Sequence, residues 1–136
     1  GGAIVMAAAA LAILEMTDRI AEVLDPDEFV PAPGQGCVAI ECRAGDEKTA
    51  LLLAGIDHAA TRHAVEAERA FLAELGTGCS LPVGAHAVGD RLVGFLADPS
   101  VGRFERRTVT LPAGAASIGV AAGLARKLDE LVREPG

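Results

Sequence analysis

The stretch VGAHAVGDRLVGFLA, residues 83–97, holds two short apolar-rich runs joined by the dipeptide Gly89-Asp90. A two-residue link with a leading glycine is a hairpin signal, because glycine supplies the positive φ that tight strand-to-strand turns require. A third run, RFERRTVTL at 103–111, extends the hairpin to an antiparallel meander. Helical spacing brackets these strands. Residues 47–76 read as two helical pieces broken near GIDHAAT (55–61), where Asp57 or Thr61 offers a cap for the second piece. Its stripe is Ala64, Val65, Phe71, Leu72 and Leu75, with Glu68 on the same side, either as a buried paired carboxylate or snorkelling from the stripe's edge. Residues 113–134 place Ile118, Ala121, Ala125, Leu128 and Val132 on one face of a closing helix. The expected class is α+β, a three-stranded antiparallel sheet covered by helices.

Upstream, AIVM (3–6) reads as a short buried strand and AAAALAILEM (7–16) as a helix. TDRIAEVL (17–24) offers Thr17 as an N-cap, with Ile20, Val23 and Leu24 on one face. The proline-punctuated DPDEFVPAPGQG (25–36) is a linker by composition, and CVAIECR (37–43) reads as a strand whose cysteines are packed. The chain opens directly in an apolar run without an initiator methionine, which suggests a cut end.

Composition excludes several classes of partner. Twelve basic against nineteen acidic residues give a net charge of -7, and four Phe stand without any Trp or Tyr, so neither nucleic acid nor an anionic membrane is an expected partner. The apolar run 3–14 is too short to span a bilayer. Three cysteines, Cys37, Cys42 and Cys79, form no CxxC pair, which argues against a zinc site and a disulfide framework and suits a reducing cytoplasm. His58, His63 and His86 share no metal-binding spacing. Arg103, Arg106 and Arg107 read as an exposed strand face, and no residue is assigned to catalysis.

Within GTGCSLPVG, residues 76–84, a thiol sits between a glycine-rich approach and a proline exit. Together with PGQGCVAIECR (33–43), AERAFLAELGTGCSLPVGAHA (67–87) and AIVMAAAALAIL (3–14), this loop resembles the hydroxymethylbilane synthase family, also called porphobilinogen deaminase, in its C-terminal portion. The resemblance implies that residues 1–54 hold pieces of the family's second and first domains plus a linker, and that 55–136 form the cofactor-attachment α+β domain. It implies that Cys79 carries a dipyrromethane cofactor through a thioether. In the family this primer is extended by four porphobilinogen units, ammonia leaves at each step, and hydroxymethylbilane is released. A polarisable thiolate suits the tether because it attacks the electrophilic carbon left when a pyrrole loses its aminomethyl nitrogen.

Gln35 matches the glutamine of the family's GQG segment, which implies contact with substrate or the growing pyrrole chain. An ordinary turn residue is the alternative. Arg43 matches the family's ECR arginine, with an interface ion pair as the simpler role. Two positions depart from the family pattern: Ala10 replaces a glycine, and Ile13 replaces an arginine that would pair with pyrrole carboxylates. The family's N-terminal half, with most of its carboxylate-binding arginines, has no counterpart here. The chain alone is therefore expected to be inactive and without the cofactor, with unpaired strand edges open to dimerisation. A noncatalytic interaction domain that keeps the fold is the competing reading, and a redox-sensing thiol is a third.

Overall fold

Strands β1 (Val83–Val88) and β2 (Arg91–Asp98) form the expected hairpin, with Val88 opposite Arg91 and Gly89 at φ 60°. Strand β3 (Arg103–Thr110) pairs antiparallel with β2 from Arg91–Thr110 to Asp98–Arg103, giving the order β1-β2-β3. The computed structural model describes residues 2–76 and 81–133. Its helices are α1 (Ala8–Ile13), α2 (Glu47–Ala54), α3 (Ala59–Leu75) and α4 (Ala116–Arg133), with a single 3-10 turn at Thr17–Arg19. The protein is α+β.

Helices α3 and α4 pack against each other and cover one face of the sheet. The alternation of β2 sends Leu92, Gly94 and Leu96 to this face, where Leu92 and Leu96 join Ala67 and Phe71 of α3 and Ala121, Leu124, Leu128 and Val132 of α4 in one buried core. Gly94 is required by closeness: a Cβ there would lie 2.7 Å from the Phe71 ring and 2.9 Å from Leu124. On the opposite face a Cβ on Gly84 would meet the Val30 carbonyl oxygen at 2.6 Å, so the segment before α2 lies against the sheet.

Several local expectations give way to longer-range effects. AIVM and CVAIECR form no strand among the described residues, and apart from Cys37 their residues are exposed, Ile4 at 83% and Val38 at 87%. Apolar β-prone residues make a strand only where a neighbouring backbone accepts the ladder. Residues 17–24 shorten to the 3-10 turn, whose N-cap is Met16 rather than Thr17. Helix α3 is capped by His58, whose Nδ1 accepts from the Thr61 amide, while Asp57 is taken up by Arg62. Leu72 and Ile118 fall outside the buried stripes at 40% and 45% exposure, and Ala67, Leu124 and Ser117 fill the covered positions instead. Cys42 is exposed and Cys37 half-buried, both as free thiols.

Candidate functional site

The cysteine expected to carry the cofactor, Cys79, lies outside the described residues. Its two flanks are defined. Helix α3 stops at Gly76, whose φ of 79° lies in the left-handed region that favours glycine. On the far side Leu81 and Val83 pack against the core. The end of α3 and the start of the edge strand β1 thus bracket residues 77–80.

The second expected site residue, Gln35, belongs to a strap from Asp25 to Gly36 that is bonded to β2 and β3 near its start and to β1 and α3 near its end. Five bonds fasten the strap. Arg91 grips the Asp27 carboxylate with both terminal nitrogens, at 2.6 and 2.9 Å. Arg106 Nη1 donates to the Glu28 carbonyl at 3.2 Å, and the Ala85 amide donates to the Pro31 carbonyl at 2.9 Å. Finally, the Gly34 amide donates to Glu68 Oε2 at 2.6 Å. Glu68 is the buried, paired carboxylate of the two readings left open by sequence: it is 6% exposed and its other oxygen accepts from the Ala87 amide at 2.7 Å. Burial without those donors would be costly; with them both oxygens are satisfied.

Gln35 itself is exposed and closes its own turn, since its amide donates to the Ala32 carbonyl at 3.1 Å and its Oε1 accepts from the Ala32 amide at 3.2 Å. It lines two clefts, of about 270 and 730 Å³. The larger is apolar and reaches from Ile4 and Leu11 to Phe29 and Phe95, with Glu22 and Glu28 at its margin; neither cleft is lined by a lysine or arginine. Ile13 is 83% exposed and outside both. A third cleft, of about 340 Å³, gathers Cys37, His58, Arg62 and Arg69 where residues 37–41 pass α3. Arg62 is engaged there by Asp57, and each pushes the other's pKa toward the charged state, Asp57 downward and Arg62 upward.

The sequence offers no signal for the Asp27–Arg91 clamp, because its partners stand 64 residues apart. The Arg91 hydrogen bond holds the Asp27 carboxyl below its ordinary value of 3.8. A carboxyl whose pKa is lower in the folded state stabilises that state above its unfolded pKa and stops doing so as pH falls through the folded one. The clamp is solvent-exposed, so the effect is small. Denaturant midpoints of the wild type and Asp27→Asn should differ at pH 6, and the gap should close as the pH drops below about 4; a gap independent of pH would mean that the ion pair is not what holds the strap.

Two family models match the chain: "Porphobilinogen deaminase, dipyromethane cofactor binding domain" over residues 2–51, and "Porphobilinogen deaminase, C-terminal domain" over residues 63–128. The chain belongs to the porphobilinogen deaminase family. A porphobilinogen deaminase from Acidothermus cellulolyticus is 44% identical over 98% of this chain and 44% of its own length. That of Roseiflexus castenholzii is 44% identical over 93% of the chain and 42% of its own length. That of Mycobacterium leprae is 58% identical over 62% of the chain and 27% of its own length. The chain thus spans less than half of these porphobilinogen deaminases. Among the described residues no helix is long and apolar enough to cross a membrane.

Proposed function

We propose that this chain supplies the primer-bearing portion of a cytoplasmic porphobilinogen deaminase, a transferase that condenses four porphobilinogen molecules into hydroxymethylbilane and releases ammonia. The observation that carries the reading is the family match across both halves of the chain, with the GTGCSLPVG loop falling inside the C-terminal match. Cys79 is the tether for dipyrromethane and Gln35 a polar contact for the pyrrole chain. Residues 1–54 are then pieces of the family's other domains with the linker, and 55–136 the attachment domain.

The fit of the primer is partial. The thiol it needs is present in sequence between two fixed flanks, and Gln35 stands at the mouth of a large apolar cleft. The primer's acetate and propionate groups need cationic donors, and the clefts at Gln35 offer glutamates and no lysine or arginine. When bound, dipyrromethane supplies the free pyrrole end onto which substrate adds. The described residues contribute the two flanks of the tether and the turn that carries Gln35, and the cations come from the family's N-terminal half. The 136 residues alone are therefore inactive and carry an unmodified Cys79.

Fusing the N-terminal half of the Acidothermus cellulolyticus relative ahead of residues 2–136 tests the assignment. The chimaera is expected to consume porphobilinogen, release ammonia and carry a two-pyrrole adduct on Cys79 by peptide mass spectrometry. Cys79→Ser should abolish both adduct and turnover. A folded chimaera with neither would favour the alternative of a noncatalytic interaction domain.

A further inference from the structure

Glu68 projects from α3 and ends between two backbone amides that are remote in sequence, Gly34 by 34 residues and Ala87 by 19. Each carboxylate oxygen accepts one of them, at 2.6 and 2.7 Å. Charge-assisted bonds of this kind are short and strong, and a carboxamide cannot reproduce both, because its nitrogen would face a second N–H donor. Gly34 stands at φ 76° with open space where a side chain would be, so glycine serves there to turn the chain into Gln35 directly after the amide that Glu68 holds. The next residue is Gln35.

We infer that Glu68 is the positioning residue that fixes the Gly34–Gln35–Gly36 turn to α3 and β1, so that Gln35 moves as one body with the helix leading to Cys79. From Glu68 to the end of α3 at Leu75 the helix rises about 10 Å, a rigid spacer between turn and tether. The functional meaning rests on the reading of Cys79 and Gln35 given above. A growing chain then shifts past a glutamine whose distance from the tether's root is constant.

Residue-resolved amide exchange on the 136-residue protein tests this without any tetrapyrrole present. In the wild type the amides of Gly34, Gln35 and Ala87 should be protected. In Glu68→Ala, exchange at Gly34 and Ala87 should accelerate on the order of tenfold to a hundredfold, while the paired amides of β2 change by less than about threefold. The Gln35 backbone order parameter should fall below about 0.6. Glu68→Gln should keep protection at one of the two amides only. If Glu68→Ala does not fold, the wild-type and Glu68→Gln measurements decide. A Gly34 amide that already exchanges at a free-loop rate in the wild type overturns the inference. So does uniform acceleration across β2, which would make Glu68 a residue of general core stability. Neither result depends on whether Cys79 is loaded in the chimaera.

Discussion

Phe71→Ala is expected to destabilise the protein by about 3 to 5 kcal/mol. The ring is fully buried and sits at the meeting point of α3, α4 and β2, close enough to Gly94 that no side chain fits between them. A cavity there cannot close easily, because the ring lies against the Gly94 backbone and shares one close-packed core with Leu92 and Leu96 of β2 and Leu124 of α4. Urea melts should show a large drop in midpoint for Phe71→Ala and a far smaller one for Cys79→Ser. Equal losses would place the cysteine in the core and remove the reason to regard it as a tether.

Gly94→Val should be the second most damaging change, costing roughly 1 to 3 kcal/mol or more through overpacking. The new Cβ would begin 2.7 Å from the Phe71 ring and 2.9 Å from Leu124, and its two methyls would go deeper. Because this damage and that of Phe71→Ala occupy one volume, the double variant should be markedly more stable than the sum of the single losses predicts. Additive losses would show that the ring and the strand do not share that space.

The sheet was legible almost to the residue because its signals are local: alternation, a Gly-Asp turn, and three runs consecutive in sequence. The helices were legible in extent but less so in facing. Leu72 and Ile118 looked like core residues by spacing, yet each lies at the edge of a stripe whose width is set by the opposing surface. The runs at 3–6 and 37–43 have strand-like composition, but pairing is a property of two segments, and hydropathy describes only one. Residues 25–36 looked like a linker because proline and glycine dominate them. That composition is equally suited to a strap whose hydrogen bonds go to distant groups. Glu68 remained ambiguous for the same reason: whether its carboxylate is satisfied depends on amides 34 residues before and 19 after it. The motif around Cys79 and the GQG match at Gln35 are what mark these two residues, with no physical signal in either residue alone.

The strap also sets an order of events during synthesis. Asp27 leaves the ribosome 64 residues ahead of Arg91, its clamp. At about 5 to 20 residues per second the interval is roughly 3 to 13 seconds, during which Asp27 has no partner to pair with. The strands of the meander, by contrast, pair with neighbours that emerge together. The start of the strap thus waits longest for its partners, 64 residues for Asp27 and 78 for Glu28, and proline, which keeps a waiting chain extended and out of helix, suits a segment that must stay available until its partners arrive.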